Sequence, residues 1–381
     1  MQLRHVHIIM YHYVRDLRRS RYPGIKGLDV ELFRRQLDFL MSRFTIIRME
    51  DLLAALDGSD GGDATPGPSG LPLRCEGGAT PGPSGSYLRN EESSPYRNEW
   101  GADLGPSGRS YRDDGGGLSV DGALLTFDDG YIDIYEYVFP LLEERRIQGS
   151  FFPPSMILET AKVLDVNKIH FTLAVADEAA LYDALIAEID FYRGSEFCIP
   201  RTDELLDKYA VPNRFDCGEI IFIKRMLQTV LPEGLRSIIL DKLFKKFVGV
   251  DEAVFARELY CDAAQLASMK RRGMYIGLHG HAHGWLGNME KNDYEQDIRH
   301  ALDYMDSIKL IDKGAWVMNY PYGSWNDGVV DCVRSNGGLA GITTEVAVAD
   351  LHRHSRLLLP RLDTNDYPPI SERYKHINHL D

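Results

Sequence analysis

The 381-residue chain is poor in cysteine, with Cys75, Cys198, Cys217, Cys261 and Cys332 scattered along it and no CxxC pair among them. An odd, dispersed set excludes a disulfide framework and a structural zinc ribbon, and fits reduced thiols in a cytoplasm. No apolar stretch approaches the roughly 20 residues needed to cross a bilayer. The opening MQLRHVHIIMYHYVRD carries an apolar run of only about five residues, broken by histidines and without a small-residue cleavage site, so it does not read as a secretory signal. The expectation is a cytoplasmic protein with no membrane span. Basic runs are also scarce. The formal charge is -14, and the densest basic cluster, residues 242–246, is diluted by Leu243 and Phe244. Nucleic acid is therefore not an expected partner. There is no GxSxG, Walker A or GxGxxG signature, which removes the commonest nucleophilic-serine, P-loop and dinucleotide readings.

What is present is a globular composition, 44% hydrophobic and 10% aromatic, patterned as alternating strands and helices. Short apolar runs at 6–11, 123–127, 149–152, 275–278, 316–319 and 339–342 predict strands. Between them, 32–44 (with Phe33, Leu37, Leu40, Met41 and Phe44 on one stripe), 131–146, 262–272, 291–308 and 326–335 predict helices. Repeated β-α units of this kind imply an α/β fold with a parallel sheet or barrel.

Two segments break the rhythm. Residues 58–118 are rich in Gly, Pro and Ser, with ATPGPSG at 64–70 and again at 79–85, and GPSG at 105–108. Such a composition buries too little apolar surface to offset its ordering entropy, so a disordered insertion is expected. Glycine does not recur at every third position, which excludes a collagen-like helix. Residues 160–260 predict helices at 178–192, 219–230 and 235–248, and read as a helical cap beside the sheet.

Three motifs stand at the ends of predicted strands, where the loops of a parallel barrel build sites. In LLTFDDGY (124–131), the adjacent carboxylates Asp128 and Asp129 diverge from an extended backbone and can do two jobs, one on a metal and one on water; alone, a DDG after a strand is also an ordinary turn with a helix cap. In IGLHGHAHGWL (276–286), three histidines crowd into five residues. Imidazole is the commonest neutral metal ligand, and the i, i+4 spacing favours His279 with His283, leaving His281 to point elsewhere. The third, NYPYGSWND (319–327), reads by itself as a strand-to-helix loop. One carboxylate with two histidines makes a facial triad that leaves metal positions open, as hydrolysis requires.

The order TFDDG, then two histidines four apart, then a PYG loop resembles the polysaccharide deacetylases, carbohydrate esterase family 4 with its chitooligosaccharide-deacetylase homology domain. The resemblance covers roughly residues 1–57 and 119–365. It implies one domain over 1–381, a distorted (β/α) barrel of the polysaccharide-deacetylase type, carrying the helical insertion and the disordered Gly/Pro/Ser-rich loop. It also implies a divalent metal, Zn2+ first and Co2+, Ni2+ or Mn2+ as alternatives, held by Asp129, His279 and His283. Asp128 would be the general base, and the backbone N–H of Tyr322 would face the oxyanion. Tyr131, Pro321, Arg361 and Asp363 would line the substrate.

The sequence also departs from the family pattern. Gly280 replaces the usual Ser or Thr after the first ligand histidine, and Asn319 replaces the arginine of an RxPY motif, leaving Arg361 as a candidate to orient the base. The late catalytic histidine is absent from LPRLDTND. The MYHY segment at Tyr11 and His12 resembles a permuted subgroup, the biofilm-polysaccharide deacetylases, in which an early strand supplies this group; on that resemblance His12 protonates the leaving amine, with Asp363 a candidate to orient it. The expected activity is hydrolysis of an N-acetyl group from a carbohydrate or glycan precursor, releasing acetate and a free amine. The rivals are hydrolysis of a formamide or cyclic amide at the same site, and a sugar-binding protein that has lost catalysis. Oligomeric state leaves no signature in the sequence.

Overall fold

A computed structural model describes residues 2–58, 110–112, 118–194, 197–212 and 217–377. The repeat insertion expected over 58–118 lies outside the described residues, apart from 58, 110–112 and 118. Strand β1 (Gln2–Tyr11) runs parallel to β2 (Leu118–Asp128), with Ile8 opposite Leu124 and Tyr11 opposite Phe127. Strand β3 (Ser150–Phe152) continues the parallel sheet beside β2, and β4 (Tyr275–Ile276) beside β3. A single parallel bridge from Leu278 to Met318 reaches β5 (Trp316–Asn319), which pairs with β6 (Gly338–Ile342). A second bridge, Ile342 to Leu359, leads into β7 (Leu362–Asp363), parallel to β1 with Ile9 opposite Leu362. The circuit closes on itself. It is the distorted (β/α) barrel expected, and the distortion lies at the two seams held by lone bridges.

Period-two alternation decides what faces inward. Val6, Ile8, Leu124, Phe152, Val317, Ala340, Ile342 and Leu359 pack in one cluster. The intervening Ile9, Tyr11, Leu125, Phe127, Phe151, Trp316 and Met318 pack in another, against Phe33, Leu37, Leu40, Ile298, Leu302, Met305, Val329 and Val333 of surrounding helices. Read along the inward positions of β2, Leu124 is followed by Thr126 and Asp128, all buried, so the interior turns polar towards the C-terminal ends of the strands. Gly277 is needed for this closeness: a Cβ there would stand 2.3 Å from the Phe152 ring and 3.0 Å from the Val317 carbonyl.

Helix α1 (Val30–Arg43) starts where Asp29 accepts a hydrogen bond from the Glu31 N–H, a cap worth about 1 kcal/mol. Its buried stripe is Phe33, Gln36, Leu37 and Leu40, while Met41, expected on that stripe, is 38% exposed because it sits one step round the helix. Helix α2 (Met49–Gly58) follows; the helix expected over 131–146 is a π turn at Ile134–Val138 running into α3 (Phe139–Arg145). Between β3 and β4 the chain forms α4 (Met156–Glu159), α5 (Asp165–Val175), α6 (Glu178–Tyr192), α7 (Thr202–Tyr209), α8 (Gly218–Arg225), α9 (Glu233–Phe247), α10 (Glu252–Leu259) and α11 (Ala263–Arg271). The barrel resumes with α12 (Lys291–Ser307) and α13 (Asp327–Ser335). The segment expected as a helical cap holds α5 to α10. It has its own core around Leu185, Phe222, Ile239 and Leu240. It docks on the barrel through Tyr13, Tyr131, Leu164, Phe171, Phe255 and Tyr260. No helix among the described residues is long and apolar enough to cross a membrane.

Candidate active site

Every residue singled out from the three motifs lies at the C-terminal mouth of the barrel, where strands hand over to loops. After β2 the chain turns sharply, with Asp129 at φ 67° and Gly130 at φ 69°. Non-glycine residues in the left-handed region are uncommon and cost about 1–3 kcal/mol each. The described chain has five, Asp129, Arg146, His283, Lys309 and Tyr322. Arg146 and Lys309 merely follow helices, whereas the other three meet at this mouth. The Asp129 N–H donates to the Phe152 carbonyl (3.1 Å), tying the turn to β3.

Asp129 Oδ1 stands 3.1 Å from Nε2 of His283 and 3.5 Å from Nε2 of His279, with all three side chains buried. Yet Oδ1 makes no hydrogen bond. A buried carboxylate oxygen left unbonded costs free energy unless something else occupies its lone pair. The three ligand atoms lie within 4.8 Å of one another, and this donor set fits a divalent ion of the zinc class. The surroundings aim the ligands. Tyr131 donates its hydroxyl proton to Asp129 Oδ2 (2.5 Å), leaving Oδ1 for an ion. His279 Nδ1 lies 2.6 Å from the Asn319 carbonyl. A carbonyl only accepts, so Nδ1 carries the proton and Nε2 presents its lone pair. Burial and the adjacent Asp129 carboxylate hold the Tyr131 phenol well above its ordinary pKa, so it stays a donor.

Asp128 is 1% exposed and gripped from two sides. Arg361 donates from Nη1 to Oδ1 (2.9 Å) and from Nη2 to Oδ2 (2.7 Å), while Asn319 Nδ2 donates to Oδ1 (2.6 Å). Burial pushes the carboxyl pKa up, but the charges of Arg361, His12 and His279 outweigh it, and the group stays below the ordinary carboxylate value. Asp129 is likewise opposed by burial and held well below that value by His283, His279 and His12. His12, at the end of β1, brings Nε2 to 3.7 Å from Asp128 Oδ2, with 37% of its side chain exposed.

The remaining sequence candidates fall around this centre in different ways. Pro321 is buried, and Tyr322 stacks flat on Trp285 (4.3 Å, 5°) with its ring 4.6 Å from that of His283. Arg361, 2% exposed, commits its guanidinium to Asp128 and the Thr343 carbonyl. Asp363 Oδ1 accepts from the N–H and the side-chain amide of Asn365, capping the turn after β7. His281 points away, as its spacing suggested, towards Ser155 and Glu159.

Sequence reasoning missed Asn167. From helix α5 its amide donates to the hydroxyls of Tyr131 (2.6 Å) and Tyr13 (2.8 Å), and its carbonyl accepts from Tyr260 (2.5 Å). The insertion thus reaches Asp129 through Asn167 and Tyr131. An isolated asparagine within a helix gives no local signal of such a role.

Residues 242–340 match the family described as Polysaccharide deacetylase. The match contains His279, His283 and the PYG loop but not Asp128 or Asp129. No curated protein matches the chain. Solved structures similar to it include the Streptococcus pyogenes deacetylase PplD in complex with acetate, 14% identical over 98% of this chain and 96% of that one, TM-score 0.48. IcaB from Ammonifex degensii is 13% identical over 98% of both chains, TM-score 0.47. The BpsB deacetylase domain from Bordetella bronchiseptica is 13% identical over 94% and 95%, TM-score 0.46.

Proposed function

We propose that this chain, of which residues 242–340 match the polysaccharide deacetylase family, is a metal-dependent hydrolase that removes an N-acetyl group from a carbohydrate or glycan precursor. The observation that carries the reading is the pairing of an unbonded, buried Asp129 Oδ1 facing two Nε2 atoms with a neighbouring carboxylate kept ionised by Arg361. Asp129, His279 and His283 would hold a divalent ion, Zn2+ in first place and Co2+, Ni2+ or Mn2+ as substitutes, which would supply Lewis acidity towards water and the amide carbonyl.

The chain's own residues do the rest. Asp128, with both oxygens oriented by Arg361 and Asn319, accepts the proton of the attacking water. Holding its pKa low keeps it ready as a base, and the bidentate guanidinium prevents rotation away from the water. His12, beside Asp128 and partly open to solvent, donates a proton to the departing amine. The Tyr322 N–H faces the developing oxyanion from a backbone already set in its left-handed conformation. Water and amide enter; acetate and free amine leave.

A sugar suits the walls. The flat Trp285–Tyr322 pair beside His283 offers an aromatic surface of the kind that packs against the C–H face of a pyranose. Tyr131 and Arg361 act behind the substrate, on Asp129 and Asp128. The described cysteines, Cys198, Cys217, Cys261 and Cys332, are unbridged, which supports a reducing cytoplasm as the working compartment.

The test is acetate release from N-acetylated oligosaccharides and nucleotide sugars, before and after chelation and after adding Zn2+ back. Turnover lost on chelation and restored by the ion supports the reading; metal binding without acetate release from any sugar points to another amide or to a binding role.

A further inference from the structure

The histidine that the catalytic centre leaves unused has partners of its own. His281 Nδ1 lies 3.3 Å from Glu159 Oε1, at the end of α4. His300 Nε2, from α12, lies 3.0 Å from the same oxygen and 2.8 Å from Oε2. The imidazole rings of His281 and His300 are 4.3 Å apart. The three ligand atoms fall within 4.8 Å of one another, as those of Asp129, His279 and His283 do. Ligands on a tetrahedral ion at about 2.0–2.2 Å stand roughly 3.3–3.6 Å apart. The longer contact at each cluster, 3.5 Å at the first and 3.3 Å at the second, matches such an edge, and the shorter, 3.1 and 3.0 Å, falls a few tenths of an ångström inside it.

The second cluster is also built rather than incidental. Asp297, only 9% exposed, accepts from the His281 N–H (2.8 Å) and the Ala282 N–H (3.0 Å), fixing the loop that carries the histidine. The Ser155 hydroxyl donates to Glu159 Oε1 (3.1 Å), orienting the carboxylate, and lies 2.8 Å from His281 Nδ1. Tyr304 donates to the Leu158 carbonyl, holding α12 in register with α4. Two histidines and a carboxylate from three separate elements meet at a solvent-reachable edge, with side chains 27%, 48% and 18% exposed.

We propose that Glu159, His281 and His300 form a second binding site for a divalent cation of the zinc class, distinct from the centre at Asp129. An ion there clamps α4 and α12 to the loop of residues 279–283, whose other face carries His279 and His283. It therefore braces the loop that presents the catalytic ligands, without touching the reacting atoms.

The test uses the full chain, stripped with a chelator, dialysed against Zn2+ alone and analysed for zinc per chain. Wild type is compared with His300→Ala, Glu159→Gln and Asp129→Ala. The His300 side chain is 48% exposed, so its removal leaves the core intact. The expected result is that wild type holds one ion more than either His300→Ala or Glu159→Gln. Equal zinc in wild type and both of these variants overturns the proposal. The Asp129→Ala count reads the catalytic site separately: if it alone equals wild type, the second site stands and the deacetylase reading falls.

Discussion

Arg361 grips Asp128 with both terminal nitrogens, at 2.9 and 2.7 Å, although the two residues are 233 positions apart and both are almost wholly buried. Barrel closure makes the pair: β7 returns to lie beside β1, and the residue just before it reaches across the interior to the end of β2. Removing one partner of a buried ion pair leaves an uncompensated charge. Arg361→Ala is therefore expected to cost about 3–5 kcal/mol of stability. Activity should fall by about 100-fold, the upper end of the range for groups that orient a functional residue from behind. Denaturant unfolding and kcat/KM on the same preparation check both.

The same pair fixes a pH dependence. The folded pKa of Asp128 is depressed, so its contribution to stability is present above the unfolded value of about 3.9 and is lost as pH falls through the folded value. In Arg361→Gln the burial that pushes the pKa up is no longer outweighed by that guanidinium. The acid limb of the kcat/KM profile is expected to move to higher pH in this variant. An unmoved limb would mean that Asp128 is not the group titrating there.

Asn167 links the helical insertion to the proposed ligand Asp129. Asn167→Leu removes hydrogen bonds to Tyr13, Tyr131 and Tyr260 and leaves buried hydroxyls unsatisfied, at a cost of about 1–3 kcal/mol. Tyr131→Phe keeps the packing but frees Asp129 Oδ2, and is expected to weaken metal binding by about 10–100-fold. Competition with a chromogenic chelator measures that loss directly.

Much of this centre is legible in the sequence. The TFDDG and HGHAH motifs stand at strand ends, where a parallel barrel must build its site, and the i, i+4 spacing separated His279 and His283 from His281. The strands at 6–11, 123–127 and 316–319 were marked by apolar runs, since each is buried on both faces. What stayed hidden depends on long-range geometry. Nothing local to Asn167, Glu159 or His300 signals a partner, because each meets its neighbours only when separate elements pack. The commitment of Arg361 to Asp128 likewise appears only when β7 closes the ring, and Asp363 turned out to cap a turn. The left-handed backbone at Asp129 has no signature beyond the glycine that follows it.

His12 is expected to matter for chemistry and little for the ion. Its side chain is 37% exposed and 3.7 Å from Asp128. His12→Gln should lower kcat by about 10²–10⁴-fold, the usual range for a general acid, with zinc content unchanged. Loss of zinc in that variant would assign His12 to the metal instead.

The most direct measurement is zinc content and acetate release for wild type and Asp128→Asn side by side. Asparagine preserves shape but cannot accept the proton, and Asp128 is not among the three proposed ligands. The variant is expected to keep its ion and lose turnover. Retained turnover in Asp128→Asn, or a wild type that binds no ion at Asp129, His279 and His283, would contradict it.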